Sequence, residues 1–516
     1  MPRFAAIDVG SNASRLRIVA VKEIGASSGS VDPEHPTPGW KTLVSERVPA
    51  RLGHSVFQTG RLAPEMVDLE VETMRRFADL MEDHEVDSYR AVVTASARDA
   101  ENGHELIERV RREAGIRLEA IDGLEEARLV RLAVGMKLDL GGHVLLMDLG
   151  GGSLELSELE ENSPRFTTSL PVGTVRFLEA YMNSGGAVSP REDALVREAL
   201  ERTLSPLSES FSGARFDRLV GTGGNLEAIA KLCGEQKGTN AVFTTKAAEL
   251  ALEKLKKLSP KERTKKFDLK PDRADVIVPA LYVVTALARL VAAEVVDVPR
   301  VGLREGLLRE QVERHFRVWD AGREHANVIA SARAFGRRFH FDERHGAKVA
   351  ALSRRLFSAL SPLHDLGDDD ARVLEVAAWL HDVGEFVSPT GHDRHSQYLI
   401  EHGEIVGLSP AERREIALLA RYHRRTPLDP KGPDLKGMGA QALARFSWLT
   451  GMLRVADALD REHRSKVGDL RVKLEDGVIA LELVAEDDVA LETWSVGRKA
   501  ELLESMAGRK IEVRVA

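Results

Sequence analysis

The sequence predicts an α/β fold repeated in tandem over its N-terminal half, then an all-α stretch, then a small α+β module. Three observations carry this. An apolar run ending in Asp, a glycine turn with a hydroxyl, and a second strand-like run occur at Phe4-Ala5-Ala6-Ile7-Asp8-Val9-Gly10-Ser11-Asn12. The same phrase returns at Val144-Leu145-Leu146-Met147-Asp148-Leu149-Gly150-Gly151-Gly152-Ser153, which marks a duplicated unit. Beyond about residue 320, alternation gives way to continuous helical patterning with embedded histidines. Near the C-terminus, Leu470, Val472 and Leu474 alternate before an Asp476-Gly477 turn, and Ile479, Leu481 and Leu483 alternate after it, as in a hairpin.

Taken in order, the run into Asp8 reads as a buried strand, and residues 15–21 as its alternating partner. Residues 25–39, rich in Ser, Gly and Pro, read as a surface loop, and residues 42–48 as a strand. Pro64 suits a helix N1 position, with Met66, Leu69, Thr73, Phe77 and Leu80 on the buried face. A strand over 90–94 ends at Thr94-Ala95-Ser96-Ala97-Arg98, and another spans 116–121. Gly123-Leu124 then leads into a helix opening with Glu125-Glu126, where a carboxylate ordinarily serves the helix dipole.

In the second hairpin, the glycines let the backbone turn sharply and aim N–H groups at phosphate oxygens. Asp148, at the mouth of that turn, is placed to hold a metal ion; turn chemistry alone is the plainer alternative. Alternation sets Glu155 on the same face as Ser153, towards Asp148. A third glycine turn, Gly221-Thr222-Gly223-Gly224-Asn225, ends a strand and opens a helix. Residues 190–208 and 245–257 read as amphipathic helices. The lysine-rich run over 253–270 reads either as a solvated face or as a guide for an anionic substrate.

At 516 residues the chain exceeds a single core, so several domains are expected. Its single cysteine, Cys233, forbids an internal disulfide and fits a reducing cytoplasm. Asp8 comes too early for a signal-peptide core, and residues 277–296 are interrupted by Pro279, Arg289 and Glu294, so they read as a buried helix and no membrane span is expected. A net charge of −8 gives no general affinity for polyanions, and nucleic acid is not an expected partner.

Two Asp-glycine hairpins facing one cleft resemble the superfamily of acetate and sugar kinases, heat-shock ATPase chaperones and actin, which share a ribonuclease H-like fold. Together with Glu125-Glu126-Ala127-Arg128, the chain looks like the exopolyphosphatase / guanosine pentaphosphate phosphatase (Ppx/GppA) family. The resemblance implies Glu126 as the base that deprotonates a water, with Asp8, Asp148 and Glu155 organising Mg2+, of which Asp8 and Asp148 are its ligands. It implies phosphate binding by Gly10, Ser11, Asn12, Thr94, Arg98, Gly150, Gly151, Gly152, Ser153, Gly223, Gly224 and Asn225. Arg128 is the expected partner of a nearby carboxylate, and Gly302-Leu303-Arg304-Glu305-Gly306 closes the second domain with a family-like signature.

The order His345, His381-Asp382, Asp457 resembles the HD superfamily of metal-dependent phosphohydrolases. Imidazole and carboxylate together suit Mn2+, Fe2+ or Zn2+. By the same resemblance His395 and His423 would bind a second ion. Whether that centre is structural or turns over a nucleotide stays open, as does a K+ requirement.

The expected divisions are 1–125 and 126–312 for the two actin-like domains, 313–465 for the HD-type helices and 466–516 for the final module. The leading expectation is a cytoplasmic, homodimeric exopolyphosphatase that releases orthophosphate from inorganic polyphosphate. The alternatives are a guanosine pentaphosphate 5′-phosphatase and a nucleotide-sensing HD regulator.

Overall fold

The computed structural model describes residues 1–22, 39–182, 185–211, 214–316, 321–485 and 487–515. The loop expected at 25–39 lies, apart from Gly39, outside them. The chain folds as two compact units, Met1–Asp320 and Ala321–Ala516.

The first unit holds two sheets. One comprises β1 (Arg3–Val9), β2 (Ser14–Val21), β3 (Trp40–Val48), β4 (Ser88–Val93) and β5 (Leu118–Ala120), in the order β3-β2-β1-β4-β5. The other comprises β6 (His143–Leu149), β7 (Leu154–Glu160), β8 (Ser163–Leu170), β9 (Arg218–Thr222), β10 (Glu235–Lys237), β11 (Asn240–Thr244) and β12 (Val295–Val298). Its order is β10-β11-β12-β9-β6-β7-β8. Read from β8 to β12, the second sheet repeats the first. A first strand pairs antiparallel with the second and parallel with the fourth in both.

The repeat extends to register. Asp8 is the penultimate residue of β1 and stands opposite Arg15; Asp148 is the penultimate residue of β6 and stands opposite Glu155. Between their first residue and the Asp both central strands are apolar, because both of their faces are buried. Ala5, Ile7 and Val9 enter the core under the first sheet, while Phe4 and Ala6 face a cluster shared with Val144 and Leu146 of β6. That shared cluster holds the two sheets together. The expected buried helix is Ile277–Leu290, and among the described residues no helix is long and apolar enough to cross a membrane.

The second unit packs helices Ala321–Arg338, Glu343–Leu360, Asp368–Leu380, His392–His402, Pro410–Tyr422 and Ala440–Ala458 with a three-stranded sheet. That sheet has the order β13 (Val467–Glu475), β14 (Val478–Ala485), β15 (Lys510–Val515). Gly477, with φ of 72°, makes the turn expected at Asp476-Gly477. Two helices, Ala490–Lys499 and Glu501–Ala507, lie between β14 and β15. Leu470, Leu481 and Leu503 join the same apolar cluster as Leu453 and Val376 of the helices. Gly451 permits this: a Cβ there would stand 3.1 Å from the Leu503 Cα.

Candidate active site

In the first unit the glycine turns meet across a cleft of about 550 Å³. Each turn is closed by one bond, Gly10 N–H to Ala13 O (3.2 Å) and Gly150 N–H to Ser153 O (3.0 Å). A Cβ on Gly152 would fall 2.8 Å from the Ser11 hydroxyl oxygen, so only glycine lets the turns approach this closely. The N–H groups of Ser11, Asn12, Gly151 and Gly152 find no acceptor among the described residues. They are donors available to an anion. Thr94, Ser153, Gly223, Gly224 and Asn225 line the same cleft. Arg98 donates to the Ile121 carbonyl (3.3 Å) and to Asp99 (3.1 Å), and its charge acts on Glu126 and Glu155.

Glu126 reaches the floor of the cleft because its helix, Gly123–Val134, starts hard against β8. A Cβ on Gly123 would lie 2.2 Å from Ser169 Oγ. Side-chain oxygens of Glu126, Asp148 and Glu155 then lie within 4.8 Å of one another. Thr222 donates to Asp148 (2.7 Å) and Ser169 to Glu155 (2.8 Å), while Glu126 Oε2 and Glu155 Oε2 are buried with no hydrogen-bond partner. Burial, and then the charges of Glu155, Asp148 and Asp8, hold Glu126 well above the usual carboxylate range. Burial likewise pushes Glu155 up to about 7 and Asp148 up to about 6. Three crowded carboxyl groups with orphaned oxygens suit a hard divalent cation. Asp8 stands outside this trio. It lines the same cleft with its Oδ2 3.1 Å from Arg15 Nη1, and its charge acts on both Asp148 and Glu126.

Glu125 turns away to Arg90 and Arg128, and Arg128 also binds Glu310 (2.9 Å). This is the structural role expected of Arg128.

In the second unit His345, His381, Asp382 and Asp457 converge. Nε2 atoms of His345 and His381 are 3.3 Å apart, and an Asp382 oxygen is 3.4 Å from His381 and 3.7 Å from His345. Asp457 lies 3.8 Å from His345 and 3.9 Å from His381. His423 stands 3.3 Å from the other Asp382 oxygen. His395 is not part of this cluster; His392 is, 3.2 Å from Asp382. The reason is local. Gly384 lies so close to the first turn of helix His392–His402 that a Cβ would meet the His392 carbonyl at 2.3 Å, which seats that end of the helix beside Asp382.

A family model described as the Ppx/GppA phosphatase family matches residues 31–315, more than half of the chain. The chain belongs to the Ppx/GppA phosphatase family. A model for domain III of that family matches residues 329–499. The guanosine-5′-triphosphate,3′-diphosphate pyrophosphatase of Vibrio parahaemolyticus is 26% identical over 461 residues, 88% of this chain and 87% of that protein. Exopolyphosphatase 1 of Mycobacterium leprae is 28% identical over 318 residues, 60% of this chain and 90% of that protein. The crystal structure of the Ppx/GppA family member of Aquifex aeolicus is similar with a TM-score of 0.50 and 27% identity, over 61% of this chain and 98% of that one.

In this Ppx/GppA chain, basic side chains also surround the cleft. Arg15, Arg17, Arg47, Lys231, Lys270, Arg273, Arg300 and Arg304 all line it. Arg17 pairs with buried Glu305, and Arg47 with Asp272. Arg304 has no hydrogen bond or ion pair among the described residues. Burial depresses Arg273 and Arg304 to about 10, and neighbouring arginines add to the effect. Of the lysine-rich run only Lys270 reaches the cleft; Lys256 and Lys266 pair with acidic neighbours and Lys254 lies over the Phe267 ring. Among the described lining residues none is aromatic.

Proposed function

We propose that this protein is an exopolyphosphatase that releases terminal orthophosphate from inorganic polyphosphate in the cleft of the first unit. The observation that supports it most is the lining of that cleft: basic side chains and glycine backbone, with carboxylates on the floor and no aromatic platform for a base. Such a lining suits a chain of phosphates. The free N–H groups of Ser11, Asn12, Gly151 and Gly152, with Arg273 and Arg304, would hold the terminal phosphates and take up charge in transfer. Thr94, Ser153 and the Gly223–Asn225 turn complete the cradle.

Glu126 takes a proton from water as its oxygen bonds to the terminal phosphorus. The bridging P–O bond breaks, and its electrons stay on the shortened chain. Burial and the neighbouring carboxylates hold Glu126 above the usual carboxylate range, which makes its carboxylate form a stronger acceptor for the proton of water. Asp148 and Glu155 would hold Mg2+, with Asp8 facing them, and bound Mg2+ would neutralise phosphate charge. No covalent nucleophile is required.

The test is phosphate release from long-chain polyphosphate and from guanosine pentaphosphate with Mg2+. Glu126→Gln is expected to lose about 10²–10⁴ in kcat with KM little changed. Full activity in that variant would sink the assignment. A second reading, 5′-phosphate hydrolysis of guanosine pentaphosphate, draws on the Vibrio pyrophosphatase, which is similar along both units. Preference for that substrate in the same assay would select it.

The same proposal assigns the helices of the second unit to an HD-type fold whose His345, His381, Asp382 and Asp457 take Mn2+, Fe2+ or Zn2+. It keeps the four-domain division at 125/126, 312/313 and 465/466. It places the enzyme in the cytoplasm as a homodimer.

A further inference from the structure

Behind the cleft, the helix that carries Glu126 is tied down by a closed ring of charge. Glu125 accepts from Arg128 through two bonds (2.6 and 2.8 Å) and from Arg90 (3.1 Å). Glu310 accepts from the same two guanidinium groups, 2.9 Å from Arg128 and in close contact with Arg90. Two carboxylates and two guanidinium groups therefore alternate round one circuit. It joins helix Gly123–Val134, helix Leu303–His315 and β4. Arg90 also reaches Glu119 (3.0 Å), and Arg314 also reaches Glu310 (3.2 Å). Arg128 and Glu310 are buried.

Stability alone does not account for such a ring. Buried ion pairs are costly to desolvate, and apolar replacements of similar volume are often neutral or stabilising. The seam between the two helices is apolar already: Leu129, Val130 and Val134 share a cluster with Leu303, Leu307 and Leu308. Apolar contacts set how closely two helices approach. Paired, directional bonds set how each is turned about its own axis. Against the cost of burial, the charges of Arg128 and Arg90 hold the Glu310 carboxyl below the usual range, so the ring stays ionised.

Rotation is what Glu126 depends on. Glu125 and Arg128, three residues apart, share one face of the helix, and Glu126 lies about 100° round from Glu125, where it lines the cleft. Glu126 Oε2 has no hydrogen-bond partner, so the helix that carries it sets where it stands. A turn of about 10° moves an atom about 6 Å from the helix axis by about 1 Å. A misplacement of about 1 Å costs on the order of 100-fold in rate. The ring's reference is firm, since β4 pairs with β1, the strand that carries Asp8. The same helix abuts β8 of the other sheet at Gly123, so Glu126 takes its place from both sheets that supply the phosphate turns.

We infer that the ring of Arg90, Glu125, Arg128 and Glu310 positions the hydrolytic base, with Glu310 the positioning residue that fixes the rotation of the helix carrying Glu126. None of the four is among the described lining residues of the cleft. They act through Glu126, so the ring governs turnover and leaves substrate binding alone. The inference rests on Glu126 being the base of the cleft reaction.

The experiment measures kcat, KM and Tm of the full chain on long-chain polyphosphate with Mg2+. Glu310→Gln is expected to lower kcat about 10–100-fold with KM unchanged. Glu310→Asp keeps the charge and is expected to fall between that variant and the parent. The double variant Arg128→Met with Glu310→Leu removes one charge of each sign and leaves Glu125 paired with Arg90. It is expected to keep the parent's Tm and still lose kcat as Glu310→Gln does. In a Glu126→Gln chain no base is left to place, so adding Glu310→Gln is expected to cost less than about twofold. A folded double variant with the parent's kcat would overturn the inference. So would a Glu310→Gln loss that only follows the folded fraction, or one equally large with and without Glu126. Full activity in Glu126→Gln would overturn the cleft assignment and this inference together. An inactive Glu126→Gln chain beside fully active ring variants would overturn this inference alone.

Discussion

Glu70 sits under the first hairpin, fully buried, and accepts the Ser14 hydroxyl at 2.7 Å. Burial first, and then the charge of Asp8, push its carboxyl from 4.5 up to about 7. A raised acid favours the fold while protonated. Its contribution is complete below pH 4.5, declines as pH rises, and is gone above about 7. Glu70→Gln removes that decline. In denaturant titrations the variant should match the parent near pH 4.5 and exceed it by about 3 kcal/mol at pH 8; a difference that does not change with pH would contradict this. Arg304 makes a second residue-level test. Its guanidinium lines the cleft without a partner, so Arg304→Met should raise KM for polyphosphate about 10–100-fold with a smaller change in kcat. An unchanged KM would remove it from the phosphate wall.

Helices and turns set where these side chains stand. Helix Leu303–His315 lies against the Glu126 helix through Gly306, where a Cβ would meet the Leu129 carbonyl at 2.0 Å. Gly306→Ala should destabilise the fold by about 1–3 kcal/mol, seen as a lower Tm, and reduce kcat by displacing Glu126. At this scale the sequence was legible where chemistry and turn lie side by side. Asp8 and Asp148 announce themselves because strand, carboxylate and glycine are consecutive. Glu126 was legible only through its motif, since helix-start glutamates are common and Glu125 beside it serves Arg90 and Arg128. Arg273 was not legible, and Arg304 was legible only within its family-like signature, since packing alone carries them to the cleft. His392 was displaced by His395 because both lie on one helix, and the choice rests on where that helix begins, after left-handed Gly391 (φ 74°) and against Gly384.

Over the whole molecule, the apolar cores of the two units share no residue among those described. Calorimetry should therefore resolve two unfolding transitions. Mn2+ at about 100 times its Kd should raise the one belonging to the second unit by about 5–10 °C, and His392→Asn should blunt that rise. A single transition shifting as one body would refute this. The first unit also carries a record of its own making. A plan executed twice began with equivalent places opposite its two aspartates, and those places now hold Arg15 in one copy and Glu155 in the other. One heir became the grip and its sibling the blade. Symmetry that had no use for two identical edges was resolved by opposite charge at a single position, so exchanging the pair as Arg15→Glu with Glu155→Arg asks whether the copies were ever interchangeable.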